Sequence, residues 1–264
     1  MLIVGAIGML SSSLPVQYFL PLVGWRAIFL FLAILTFVCI LLIITFIPKW
    51  QSKSIDNKNL NESKLSTVWN NPLFKSLVPM GFFSYGGLFA IQTLWAGPWM
   101  IRVSGYTPEE SARGLFIIYL CMLISFLVWG YFVPKFSKNV NDAIRLLKVG
   151  APLNLFLLII IIYLGPKAGF IHWALFIVSS IFLSLTQPAV GMAFSVSNAG
   201  KALTSFNLLI FIGAFFIQWI IGLIIDAGIA FNLSEIDSFK LAMTFVLITS
   251  LLSYLFFLRK VKID

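Results

Sequence analysis

Ala27-Ile28-Phe29-Leu30-Phe31-Leu32-Ala33-Ile34-Leu35-Thr36-Phe37-Val38-Cys39-Ile40-Leu41-Leu42-Ile43-Ile44-Thr45-Phe46-Ile47 runs for twenty-one residues without a charge, and its reading decides the fold class. A helix rises about 1.5 Å per residue, so a run of this length matches the roughly 30 Å hydrocarbon core of a bilayer. A membrane-barrel strand would be about 10 residues long and would alternate in polarity. This run does neither. Backbone amides left unpaired in lipid cost several kcal/mol each, so the run reads as a helix.

Seven similar runs flank it, near Leu2 to Leu20, Ser76 to Gly97, Gly114 to Val133, Leu146 to Leu164, Ile171 to Gly191, Leu203 to Ile225 and Phe239 to Leu258. Prolines, glycines or charges punctuate every interval. The expected fold class is therefore all-α, a polytopic membrane helix bundle of about eight transmembrane helices.

Composition agrees across all 264 residues, of which 60% are hydrophobic and 10% charged, at a mean hydropathy of +1.02. Soluble domains carry about 25% charged residues, so a water-soluble enzyme, a disordered chain and a nucleic-acid-binding domain are excluded. Cys39 and Cys121 lie inside apolar runs and predict packing rather than a disulfide. One histidine, His172, excludes a multi-histidine metal centre. No cofactor and no metal is expected.

The net charge of +9 is best read from where the cations fall. Alternate connections and the C-terminus collect Lys49, Lys53, Lys58, Lys64, Lys75, Lys135, Lys138, Arg145, Lys148, Lys201, Arg259, Lys260 and Lys262, thirteen cations in all. The opposite side holds five, Arg26, Arg102, Arg113, Lys167 and Lys240. The positive-inside rule then places both termini and the Pro48 to Lys75 loop in the cytoplasm, with the lipid bilayer as the first partner. No basic residue precedes Leu2, so the first run is expected to be a span rather than a cleaved leader. Three segments follow: two helices over 1–47, a basic cytoplasmic linker over 48–75 that is too polar to form its own core, and six helices over 76–264.

The segment Pro15-Val16-Gln17-Tyr18-Phe19-Leu20-Pro21-Leu22-Val23-Gly24-Trp25-Arg26-Ala27-Ile28-Phe29 resembles the junction of the fifth and sixth helices in major facilitator superfamily transporters. There a Pro-bearing helix meets a short external Gly-Trp-Arg turn. The physics fits: Gly24 permits a tight backbone, Trp25 suits the headgroup level, and Arg26 can reach phosphate. Gly130-Tyr131-Phe132-Val133-Pro134-Lys135-Phe136-Ser137-Lys138 is similar to the family's short cytoplasmic loop motif in its weaker C-terminal copy. Lys135 and Lys138 stand in its two Arg places, and Pro134 replaces its Asp. Asn207 through Gly222 to Asp226 is similar to an eleventh helix. The resemblance implies helices five to twelve of a twelve-helix fold: two helices of the N-terminal half and the whole C-terminal half, without the first four. It also implies a solute site between the halves near mid-membrane.

Candidate contacts follow from helical faces. Tyr85, Leu88, Gln92, Trp95 and Trp99 fall at offsets of three and four. A Gln facing lipid is costly, so Gln92 should point inward. Tyr85, Gln92 and Trp95 are candidate substrate contacts, with helix packing as the other reading and Trp99 as an interfacial anchor. Ser180, Ser184, Gln187 and Gly191 share another face, where Gln187 is the better contact and the serines suit close packing. Asn207, Phe211, Ala214 and Gln218 form a third stripe, whose two amides need partners. Gly5-x-x-Gly8 suggests close helix packing. No Asp, Glu, Lys or Arg lies deep in a span, so no proton-coupling site is expected within this chain.

The reading that follows is a secondary-transporter-type protein of the inner membrane, moving an unknown small organic solute by alternating access. The first span lacks the Gly-Pro pair of the family's drug antiporters. The rival from another class is a non-transporting remnant or partner subunit that complements a separate N-terminal transporter fragment. An enzyme is not expected: no Ser/His/Asp set, HExxH helix, CxxC pair or Gly-rich phosphate loop occurs.

Overall fold

The structure is a computed structural model that describes residues 2–46 and 65–261. Its described residues form helices and short connections, with no strand among them. We number the helices α1 (Leu2–Ser11), α2 (Leu14–Phe46), α3 (Leu65–Asn70), α4 (Pro72–Arg102), α5 (Pro108–Phe136), α6 (Val140–Leu164), α7 (Phe170–Met192), α8 (Val196–Ala230) and α9 (Glu235–Lys260). Among the described residues seven helices are long and apolar enough to cross a membrane, namely α2 and α4 to α9.

Six of the eight expected spans map one to one onto α4 to α9. The first, Leu2 to Leu20, is divided. Ser12 and Ser13 turn their hydroxyls back onto Met9 O (2.9 Å) and Leu10 O (2.7 Å), and Pro15 has no N–H to offer Ser11. Helix α1 therefore stops at Ser11, and the rest of the run is continuous with the second in α2. Gly24 interrupts α2 at φ 75° and ψ 160°, a backbone that favours glycine. Arg26 lies over the Trp25 ring at 4.5 Å, and the Trp25 side of α2 is exposed.

Residues 47–64 lie outside the described residues, and with them most of the expected linker. Its end is helical: α3 buries Val68 completely. Asn71 then caps α4, its Oδ1 accepting from Phe74 N at 3.0 Å, with Pro72 in the first turn, where a missing N–H costs nothing. The fourth helix thus begins four residues earlier than the Ser76 expected.

Helices α4 to α9 form one bundle. Helix α4 packs on α8 and α9, α5 on α7, and α6 on α7 and α9, while α1 lies along α5. The contact between α4 and α8 is backbone against backbone. A Cβ on Gly86 would stand 2.9 Å from Ala214 N, and one on Gly213 would strike the Phe82 carbonyl oxygen. Small residues at helix interfaces allow this approach where lipid offers no hydrophobic drive.

Two clusters of rings close the ends of the bundle. Phe74 meets Phe194 and Phe206 edge-on near the start of α4. Trp99 meets Trp173 at 5.6 Å and Phe239 at 6.4 Å near its other end. Trp99 is fully buried, so it is a core ring and not the interfacial anchor expected from its position.

Candidate functional site

Two helices in the bundle change geometry in mid-course, and a cavity lies beside both. In α4, Met80–Tyr85 and Ile91–Trp95 are π turns. In α7, Ser180–Leu185 is a 3₁₀ segment between α-helical ends. Departures of this kind inside long helices concentrate at functional places, because they re-aim side chains that regular periodicity would send elsewhere.

The cavity has a volume of about 540 Å³. Gly5 and Met9 of α1 form one side; Tyr85, Leu88, Phe89 and Gln92 of α4 form the next. Met122 and Phe126 of α5, Ser180, Ser184 and Gln187 of α7, and Leu203, Thr204, Asn207 and Phe211 of α8 complete it. Apart from the phenol of Tyr85, no ionisable side chain lines it. Rings line it instead: Tyr85 lies 5.4 Å from Phe89, and Phe89 lies 6.0 Å from Phe211.

Its polar groups are partly committed to each other. Gln187 Nε2 donates to Asn207 Oδ1 at 3.3 Å, bridging α7 and α8. Gln92 Nε2 points at Met9 Sδ at 3.6 Å, a weak bond that ties α4 to α1. Tyr119 of α5 donates its hydroxyl to Gln92 O at 2.7 Å, where the π turn leaves that carbonyl accessible. Ser180 and Ser184 donate to Ile177 O and Ile181 O at 2.5 and 2.6 Å, so their hydroxyl hydrogens are committed to the backbone. Free valences remain on Gln187 Oε1, Asn207 Nδ2 and the side-chain oxygen Gln92 Oε1. The arrangement can hold an uncharged molecule by a few hydrogen bonds and by ring contact.

Four of the six expected contacts, Tyr85, Gln92, Gln187 and Asn207, therefore come together on one cavity. Trp95 and Gln218 do not line it. Trp95 Nε1 donates to Gln218 O at 3.2 Å, and Gln218 Nε2 donates to Thr93 Oγ1 at 2.9 Å. The π turn at Ile91–Trp95 accounts for the separation: it breaks the α period that would have kept Trp95 and Trp99 beneath Gln92. Likewise Asn207 and Phe211 face the cavity, while Ala214, on the same stripe, is held against Gly86.

The serines of α7, read from the sequence as packing residues, line the cavity, and Gly191 lies instead against Leu203. Gly5 and Gly8 have nothing within 4 Å of a built Cβ, so they serve no close approach, and Gly5 opens onto the cavity. At the other motif, Gly130 is inside α5, and Lys135 sits over the Tyr131 ring at 3.9 Å. Lys138 N donates to Asp142 Oδ2 at 3.1 Å, which joins that loop to the start of α6.

Sequence reasoning missed Met9, Met122, Phe126 and Asn154. Met122 and Phe126 are four apart and carried a readable signal, since such a pair shares a helical face. Asn154 carried a stronger one, as an amide in mid-span that must be bonded. It is buried against α7, where Nδ2 donates to Phe176 O at 2.9 Å and to Ser179 Oγ at 3.0 Å.

Membrane-length helices packed around a neutral, ring-lined cavity make a polytopic helix bundle of the integral-membrane class. The sequence profile of the Major Facilitator Superfamily matches residues 1–218. The chain belongs to that superfamily, whose members are membrane transporters. No curated protein and no solved structure matches it.

Proposed function

We propose that the chain takes part in moving a small organic solute across the cytoplasmic membrane by alternating access, with the cavity between α1, α4, α5, α7 and α8 as its solute site. One observation carries the reading. The cavity collects four inward polar groups, Tyr85, Gln92, Gln187 and Asn207, on three helices, α4, α7 and α8, that lie far apart in the sequence. Polar side chains in a bilayer interior are costly and face functional cavities or partners. Neutral amides and rings suit an uncharged solute, because a charged one would be desolvated there without a counter-charge. Trp95 and Gln218 would act at the margin, by fixing α4 against α8.

The thirteen-to-five distribution of cations supports an orientation with both termini in the cytoplasm. It supports a two-helix segment over 1–47, a cytoplasmic linker over 48–75 and a six-helix unit over 76–264. The weak bond of Gln92 Nε2 to Met9 Sδ, with Gly5 and Met9 in the lining, supports an inter-segment position for the cavity.

The test is reconstitution in liposomes with a panel of labelled neutral organic solutes. Uptake by the parent that Asn207→Leu abolishes is expected. No flux for any solute, with the protein folded in the bilayer, would remove the transport reading and leave the fold untouched.

A further inference from the structure

Six residues of 3₁₀ helix are an uncommon length for that geometry, whose hydrogen bonds are poorer than those of the α-helix. Something must hold them. At the entry to the segment the Ser180 N–H bonds to Ile177 O, one residue short of the α pattern that would have reached Phe176 O. Phe176 O is taken instead by side chains: Asn154 Nδ2 at 2.9 Å and Ser179 Oγ at 2.7 Å. Asn154 Nδ2 also donates to Ser179 Oγ at 3.0 Å, which closes a three-membered network between α6 and α7.

A second contact lies one turn away on the same face of α6. Gly150, four residues before Asn154, stands directly against the Phe182 ring, and a Cβ there would fall inside it. Trp129 of α5 also meets Phe182, edge-on, with ring centroids 5.2 Å apart. Helix α6 thus grips the start of the segment through an amide and its middle through a space only glycine leaves.

The consequence is rotational. An α-helix turns about 100° per residue and a 3₁₀ helix about 120°, so six residues displace everything downstream by roughly 120°, a third of a turn. Gln187 stands two residues beyond the segment. Its bond to Asn207 and its place on the cavity wall depend on that added rotation.

We propose that Asn154 is a positioning residue for the cavity: by holding Phe176 O and Ser179 it fixes α7 in 3₁₀ geometry and so aims Gln187 at Asn207. Asn154 does not line the cavity. Its interest for function rests on the cavity being the solute site, but the geometry is testable without any solute, so the two readings fail separately.

The experiment is a disulfide cross-link in full-length protein in membranes, with Cys39 and Cys121 replaced by alanine. One reporter pair, Gly191→Cys with Leu203→Cys, lies beyond the segment, where a Cβ on Gly191 would stand 3.7 Å from Leu203 Cγ. The other, Gly114→Cys with Phe170→Cys, lies before it, where a Cβ on Gly114 would stand 3.0 Å from Phe170 Cβ. Disulfides need Cβ atoms about 4 Å apart, so both pairs report local geometry. With Asn154→Leu added, oxidation of the 191–203 pair is expected to slow at least tenfold and the 114–170 pair to keep its rate. Asn154→Ser, too short to reach Phe176 O, is expected to give the same split if the leucine variant does not fold. Equal rates at the 191–203 pair with and without the change would overturn the proposal. So would a parallel fall at both pairs, which would mark general loosening.

Discussion

Gln187 and Asn207 share one hydrogen bond, amide to carbonyl at 3.3 Å, and it joins the two helices that form the polar side of the cavity. The other polar atom of each side chain makes no hydrogen bond among the described residues. Asn207→Leu is therefore expected to weaken solute binding about tenfold or more, since a neutral hydrogen bond and the partner left unpaired together amount to about 1–3 kcal/mol. Interhelical bonds of this type stabilise membrane bundles by about 0.6 kcal/mol, so the melting temperature should hardly move. Calorimetric titration beside a thermal melt checks both halves. A large fall in Tm with unchanged affinity would show the pair to be structural.

Gln218 should behave in the opposite sense. It receives the Trp95 indole on its backbone and spends its side chain on Thr93, away from the cavity. Gln218→Leu is expected to lower stability by about 0.5–1.5 kcal/mol with affinity within twofold of the parent. Denaturant titration and the same binding assay separate the outcomes, and a tenfold loss of affinity would return Gln218 to the site.

Glycine substitutions should divide sharply by position. Gly213→Ala drives a methyl into the Phe82 carbonyl, and Gly86→Ala meets the backbone of Gly213 and Ala214. Neither neighbour is a side chain that can rotate away, so each change is expected to destabilise by about 1–3 kcal/mol. Gly8→Ala meets nothing within 4 Å and should be neutral or stabilising by up to about 1 kcal/mol through helix propensity. Melting curves of the three proteins decide it.

At the head of α5, Thr107 and Glu110 form a reciprocal capping box, with Glu110 N to Thr107 Oγ1 at 3.2 Å and Thr107 N to Glu110 Oε2 at 2.8 Å. Thr107→Ala is expected to cost about 0.5–2 kcal/mol. The neighbouring Arg113–Glu109 pair is shorter, at 2.6 Å, yet both side chains are about two-thirds exposed. Solvent and salt screen such pairs, so Arg113→Ala should change stability by less than about 0.5 kcal/mol. Unfolding at two salt concentrations tests the contrast.

The orientation read from the cations predicts opposite labelling of two connections. A single cysteine at Glu109 should react in intact cells with a membrane-impermeant maleimide, and one at Lys138 only after the membrane is opened. Reaction of Lys138→Cys in intact cells would reverse the topology.

Much of this was legible in the residues themselves. Apolar runs long enough for a bilayer fixed the helical class, because unpaired amides in lipid leave no other solution, but the helix starts capped by Asn71, Thr107 and Asn139 lie four to six residues before those runs. The inward aim of Tyr85, Gln92, Gln187 and Asn207 was legible for a similar reason, since polar side chains avoid lipid. Periodicity failed where the helices stopped being α. It placed Trp95 and Trp99 under Gln92, but a π turn intervenes, and Trp99 is core.

What the sequence by itself determined is thus the helical class, the place of most of the apolar helices, and the polar groups that must find partners. These follow from the transfer of single residues between water and lipid, which depends on each residue and its near neighbours. Only the tertiary structure decided which partners those groups found. The π turns of α4, the 3₁₀ segment of α7 and the meeting of Gly86 with Gly213 arise where two helices compete for the same space. Small residues in one helix set the geometry of another far away in the chain, as Gly150 and Asn154 of α6 do for Phe182 and Phe176 of α7.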